Sequence, residues 1–416
     1  MESALFQIYM KSMSLNPVES KKRHIFLDAL RGFALLGVCM ANYPEFSLYT
    51  FQPESVVENM PSAPLDKIVR FLMLIFIDGK FYTLFSLLFG IGFSIIISNA
   101  AERGRDGFKI FYRRMVILAF IGCTHLMLLW SGDILLLYAI LGMILPLFQN
   151  LSNRNILITA ISLLILPVIV DGICEATGTF LAQYPYRKWW ETAHFFGISE
   201  DNFGTWLRDS SSYQGINHFL LQGAWERMYE FVDGNRYFKV LGLFLIGFVL
   251  GRKNIYAHLD KHSHFFRKVA VWGAIIGLPF SMLYAIDGME GHPSGTTIHS
   301  LLYLISVYPL GFCYASLLAL ICTQHPDAII WKWFAFPGRM ALTNYISQSL
   351  IGIFLFYGIG LGLGAYFGLG STELIAMGVF SFQILFSKFW LSFFRFGPLE
   401  WIWRMLTYAK FLPIVK

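Results

Sequence analysis

The stretch Phe111–Phe148, FYRRMVILAFIGCTHLMLLWSGDILLLYAILGMILPLF, decides the fold. Two apolar runs, each about long enough for a helix to cross a bilayer, flank the turn Trp130-Ser131-Gly132. So short a connection predicts a tight helical hairpin. His125 falls about one turn before the reversal and Asp133 just after it, so their side chains can face each other. Arg113 and Arg114 lie roughly 18 Å away along the same helix. The hairpin therefore carries a basic mouth near one membrane face and an imidazole–carboxylate couple near the other.

The rest of the chain repeats this chemistry. Of 416 residues, 56% are apolar, 17% aromatic and only 14% charged, with a mean hydropathy of +0.57. Such a composition excludes a soluble domain and predicts an all-α, polytopic transmembrane helical bundle. Ten spans are expected, at about 27–48, 80–99, 110–130, 133–149, 155–173, 237–251, 268–286, 298–322, 339–358 and 372–394. With the amino terminus inside, about 23 of the 32 Lys and Arg residues fall on the cytoplasmic side, as the positive-inside rule requires. Both termini are then expected in the cytoplasm of a bacterial inner-membrane protein. The first twenty residues have no apolar core, so Lys21-Lys22-Arg23 reads as the flank of an uncleaved first span.

The expected organisation is a cytoplasmic tail (1–24), an amino-terminal membrane part (25–174), an extracytoplasmic aromatic-rich insert (175–236) and a carboxyl-terminal membrane part (237–416). Trp189, Trp190, Phe195, Phe196, Trp206, Trp225 and Tyr229 make the insert a short interfacial helical cap, either a plain aromatic belt or the lining of a substrate entry. Leu65–Ile77 is too short to cross and too charged to lie freely in lipid, so it is expected on the outer face or as a re-entrant piece. It ends at Asp78-Gly79-Lys80, near the outer boundary. Gly90 and Gly92 are expected to allow close helix contact.

FPGRMALTNYISQSL (Phe336–Leu350) enters the membrane with Arg339, Asn344 and Gln348 among its polar groups, and in hydrocarbon these must look into the bundle. Asp28 and Arg31 form either a plain i, i+3 ion pair or part of an inner basic site with Arg113, Arg114 and Arg339. Glu400 and Arg404 stand at i, i+4 on a short amphipathic helix at the inner surface. Cys39, Cys123, Cys174, Cys313 and Cys322 show no paired spacing, so neither disulfides nor a metal site is expected. The chain lacks a P-loop, GxGxxG after a strand, HExxH and GxSxG, which argues against nucleotide hydrolysis, zinc proteolysis and serine hydrolysis.

The ordered motifs LDALRGFALLGVCMANY (Leu27–Tyr43), GKFYTLFSLLFGIGF (Gly79–Phe93), HLMLLWSGDILLLYAILG (His125–Gly142), GRMALTNYISQS (Gly338–Ser349) and GPLEWIWRMLTY (Gly397–Tyr408) resemble the YeiB family of bacterial membrane proteins, domain-of-unknown-function family 418. The first of them also resembles transmembrane acyltransferases such as heparan-alpha-glucosaminide N-acetyltransferase and the bacterial O-acyltransferases of surface polysaccharides. That resemblance implies transfer of an acyl group from cytoplasmic acyl-CoA to a far-side acceptor through a histidine. No histidine follows Asn42-Tyr43 until His125, so His125 is a substitute candidate rather than a positional match.

The expected catalytic residues are His125 as base, Asp133 as its orienting carboxylate, and Asp78 and Lys80 at the same outer level. His125 reads equally as a buried imidazole bonded to a neighbouring helix, and Asp133 as a helix cap. Donor binding falls to Arg31, Arg113, Arg114, Arg339, Asn344 and Gln348. No permanent cofactor is expected; acyl-CoA enters as donor substrate. The expected partners are the lipid bilayer, a polar, carbohydrate-class acceptor and a second copy in a homodimer, with no nucleic acid. The rival reading is a small-metabolite transporter using the same polar residues as an intramembrane site.

Overall fold

The computed structural model describes residues 24–416, so the expected tail with Lys21-Lys22-Arg23 lies outside the described residues. In chain order the helices of more than five residues are α1 (Ile25–Phe46), α2 (Ala63–Phe76), α3 (Lys80–Glu102), α4 (Gly107–Leu128), α5 (Leu135–Gly142), α6 (Asn153–Thr177), α7 (Gln183–Phe195), α8 (Tyr213–Asp233), α9 (Arg236–Arg252), α10 (Ser263–Met289), α11 (Thr296–Gln324), α12 (Ile329–Arg339), α13 (Ala341–Phe356), α14 (Leu369–Phe393) and α15 (Pro398–Tyr408). Among the described residues the β structure amounts to an isolated bridge between Phe394 and Val415.

A helix falls on each of the ten expected runs, but they are unequal. Among the described residues seven spans are long and apolar enough to cross unaided, α3 continuing α2 in one of them. An eighth is the pair α8 and α9, bent by 66°. The remaining two, α5 with the turn that follows it to Phe148, and α13, are shorter apolar helices. The expected span at 237–251 is thus the second half of a broken one, and α8, with 21 residues, is longer than the short cap helices expected of the insert. The break falls at Gly234-Asn235, where Asn235 has φ 49°, a left-handed conformation that no continuous helix can hold.

Lipid-facing surface is legible along α6, where Ile158, Ile161, Ile165, Ile169 and Ile173 are all exposed at three- or four-residue spacing. Inside, small residues set the closest approaches. A Cβ at Gly90 of α3 would stand 2.0 Å from the Phe244 carbonyl oxygen of α9, and one at Gly247 of α9 would stand 2.1 Å from that of Leu87. Gly92 does not share this role, since nothing lies within 4 Å of its would-be Cβ.

The segment α2 buries one face and leaves Leu65, Ile68, Leu72 and Phe76 exposed on the other. It packs on α10 and α14, with Asp66 fully buried and accepting from Ser62 Oγ (2.7 Å) and the Gly370 N–H (2.9 Å). The aromatic insert closes one end of the bundle. Phe219 and Leu220 of α8 join Phe46 of α1, Trp130 of the hairpin and Phe356 of α13 in one apolar cluster. Trp189 stacks on Trp190 and on Tyr229, at 5.1 and 5.7 Å between ring centroids.

Candidate functional site

The hairpin α4–α5 forms, with a connection over residues 129–134 that is longer than the expected Trp130-Ser131-Gly132 turn, and the Asp133 carboxylate accepts from the Leu136 N–H at 2.8 Å, capping α5. The second carboxylate oxygen lies 2.8 Å from His125 Nδ1, and His125 Nε2 lies 2.9 Å from Ser349 Oγ on α13. With Asp133 ionised, Nδ1 donates to it and Nε2 accepts the serine proton. Both ring nitrogens are thereby engaged, and His125 is only 1% exposed. This buried chain ties the hairpin to α13.

Behind Tyr345, whose ring packs 5.3 Å from that of His125, opens a cavity of about 1160 Å³. Tyr345, Ile134 and Leu135 are on its wall; His125, Asp133 and Ser349 are not. The cavity reaches from Arg31 to Glu45 along α1, roughly 21 Å of helix, so it traverses most of the membrane-embedded bundle.

Its chemistry changes along that length. At one end stand Arg31, Arg114, Arg339 and Arg404 with Glu400. Arg31 Nη1 binds Asp28 Oδ1 at 3.0 Å, and the Arg114 guanidinium lies 3.6 Å above the Trp403 ring. Glu400 accepts from the Leu342 and Thr343 N–H groups (2.7 and 3.1 Å) and from Thr343 Oγ1 (2.6 Å), so it caps α13 as well as standing one turn from Arg404. Burial pushes its carboxyl above the ordinary value, while the Thr343 and Leu342 bonds pull the other way. The middle is apolar: Phe85, Phe89 and Phe93 of α3 face Phe111, Met115 and Leu118 of α4. Gly92 belongs to this wall, which is why no neighbour meets it.

At the far end Asp78 accepts from the Tyr284 hydroxyl at 2.6 Å, and the Tyr303 hydroxyl donates to that of Tyr82 at 2.7 Å. Lys239 Nζ sits 4.0 Å from the centroid of the Tyr303 ring. Asp171 accepts from Asn235 Nδ2 (2.8 Å) and from Ser300 Oγ.

Of the residues chosen from the sequence, Arg31, Arg114, Arg339 and Asp78 meet on this cavity. Arg113 does not line it; its guanidinium donates to the Thr407 carbonyl at 3.3 Å. Lys80 is fully buried and donates to the Leu74 carbonyl at 2.7 Å, holding the break between α2 and α3. Asn344 and Gln348 turn to α14, donating to Ser387 Oγ and Gln383 Oε1, each at 2.9 Å. That bonding joins two helices through the amide N–H groups, and both residues stand off the cavity wall.

The sequence reading missed Tyr82, Tyr284, Tyr303, Lys239 and His299, all on the wall. His299, Ser300 and Tyr303 recur on one face of α11, a signal available in the sequence.

Residues 250–410 match the family model described as "Protein of unknown function (DUF418)". "Uncharacterized protein YxaH" of Bacillus subtilis (strain 168) is 29% identical over 413 residues, covering 97% of this chain and 98% of that protein. "Uncharacterized protein YeiB" of Escherichia coli (strain K12) is 29% identical over 424 residues, covering 95% and 99%. The "Uncharacterized 39.9 kDa protein in amylase 3'region" of Bacillus acidopullulyticus is 28% identical over 405 residues, covering 96% and 98%.

Proposed function

We propose, for an integral membrane protein that belongs to the DUF418 family, transfer of an acyl group from cytoplasmic acyl-CoA to a polar, carbohydrate-class acceptor at the outer face of the bacterial inner membrane. One observation carries the reading: a single cavity with four arginines at one end, an aromatic middle, and at the other end hydroxyls together with carboxylates such as Asp78 and Asp171 and the basic Lys239 and Arg236. Guanidinium forks suit the phosphates of a coenzyme A headgroup. The apolar middle suits the arm and acyl chain, and the far end suits a hydroxylated acceptor. The Lys and Arg asymmetry puts the arginine end and both termini in the cytoplasm.

In this scheme the acceptor hydroxyl attacks the thioester carbonyl and gives its proton to the Asp78 carboxylate. The carbon–sulfur bond breaks, and the departing thiolate takes up a proton as free coenzyme A. Asp78 is the base because it stands on the wall; His125, with both nitrogens occupied behind Tyr345, positions the hairpin. A carrier is the second reading, favoured by the broken helix α8–α9, whose Gly234, Asn235 and Arg236 line the same cavity.

Proteoliposomes loaded with labelled acetyl-CoA and offered sugar acceptors outside separate the two. Label esterified to the outer acceptor while coenzyme A stays inside supports transfer; export of intact solute with no ester formed overturns it.

A further inference from the structure

At the polar end of the cavity three ionisable side chains from three chain segments converge on one point. Asp287 comes from the last turn of α10, His292 from the following loop and His299 from the first turn of α11. His292 Nδ1 and His299 Nδ1 each lie 3.1 Å from the same oxygen, Asp287 Oδ2, and one donor atom from each residue falls within 4.8 Å of the others. The two imidazole centroids are only 3.9 Å apart.

We infer that Asp287, His292 and His299 form a binding site for a divalent late transition-metal ion of the zinc class, with an open coordination position toward the cavity. Zinc holds imidazole nitrogen and carboxylate oxygen at about 2.0–2.2 Å, so neighbouring ligand atoms in a tetrahedral set stand roughly 3.3 Å apart. The observed 3.1 Å spacings already match two edges of that figure. Two nitrogens and one oxygen select zinc-like ions over magnesium or calcium, which take oxygen shells.

The surroundings are built for a fixed cluster. Asp287 is 4% exposed, and its other oxygen accepts from the Ser294 N–H at 3.4 Å. His292 holds φ 63°, and the loop is further tied by its N–H to the Asp287 carbonyl at 2.9 Å. Both histidines are on the cavity wall, and the His299 ring lies 5.0 Å from that of Tyr284, which bonds Asp78. Three protein ligands leave the fourth position for water or for a hydroxyl of whatever occupies the cavity, whose oxygen the ion would polarise. The expectation of no metal site rested on the spacing of the cysteines and did not consider Asp287, His292 and His299, whose spacing matches no zinc motif.

The site stands independently of acyl transfer, because its test reads metal. Tag-free full-length protein in detergent is stripped with a chelator, dialysed and titrated with Zn²⁺ by calorimetry, with Co²⁺ as a spectroscopic probe. Expected are one ion per chain and intense visible absorption of four-coordinate Co²⁺, with Mg²⁺ failing to compete. His292→Ala, His299→Ala and Asp287→Asn should each weaken binding by more than roughly 100-fold, the upper end of what even outer-shell changes cost metal sites. His292 is in an exposed loop, so its variant keeps the test valid if the helix variants do not fold. Absence of stoichiometric Zn²⁺ in the unmodified chain, or undiminished affinity in folded His292→Ala, overturns the inference; the latter would point to adventitious binding, for instance by His258, His262 and His264.

Discussion

Replacing His125 tests whether the buried chain Asp133–His125–Ser349 positions the hairpin or performs chemistry. His125→Ala strands two groups at once: the Asp133 oxygen, which loses its 2.8 Å partner, and Ser349 Oγ, which loses its 2.9 Å one. An unpaired buried carboxylate costs about 3–5 kcal/mol and an orphaned buried hydroxyl about 1–3 kcal/mol. The Leu136 N–H still bonds Asp133 Oδ1 and offsets part of the loss, so a total of roughly 4 kcal/mol is expected for a change confined to packing and hydrogen bonds. His125→Gln should recover most of that, because its amide can donate to Asp133 and accept from Ser349 while being unable to act as a base. The assay pairs thermal unfolding in detergent with acyl transfer on the same preparations. Expected are a marked drop in thermal midpoint for His125→Ala, near-recovery for His125→Gln, and activity that follows the folded fraction. A general base contributes about 100-fold to 10,000-fold in rate. A His125→Gln protein that unfolds normally yet has lost activity on that scale would refute the positioning role and return His125 to the reaction itself.

Other expectations can be checked separately. Arg339→Ala should weaken coenzyme A binding by about 1.5–3 kcal/mol, the range for a charge-assisted hydrogen bond, in calorimetry on folded protein; unchanged affinity removes Arg339 from the donor site. Gly247→Leu should block assembly of the bundle, since even a Cβ there meets the Leu87 carbonyl oxygen at 2.1 Å; a monodisperse, normally stable variant in size-exclusion chromatography would contradict the close approach. For Glu400, burial raises the folded carboxyl above its ordinary 4.5, so its contribution is complete below that pH and declines as pH rises through the raised value. Glu400→Gln should flatten that part of the pH–stability curve, and an unaltered curve excludes Glu400 as its source. Single cysteines at Ser210 and Ser263 in a cysteine-free background should be labelled by an impermeant reagent in intact cells only at Ser210; the reverse pattern would invert the proposed topology.

Much of the architecture followed from the sequence alone because a bilayer imposes length and polarity on each span locally. Apolar runs near twenty residues, broken by polar turns, sufficed to locate most of the helices, and the short connection around Trp130-Ser131-Gly132 sufficed to bring His125 to Asp133. The motifs from Leu27 to Tyr408 sufficed for the resemblance to the DUF418 family, whose model matches residues 250–410. Tertiary structure alone decided which polar groups share a solvent-accessible space. Arg113 and Arg114 are neighbours in sequence, yet about 100° of helical rotation per residue sends one to the Thr407 carbonyl and the other to the cavity. Asn344 and Gln348 have the polarity of ligand-binding residues, but α14 presents Ser387 and Gln383 opposite them, and their side-chain N–H groups are spent on that helix rather than on the cavity. His299 and Asp287 meet only because α10 and α11 pack as an antiparallel pair, which brings the end of one beside the start of the other. A sequence carries its periodicities locally, whereas the partner opposite a given face depends on how distant helices pack.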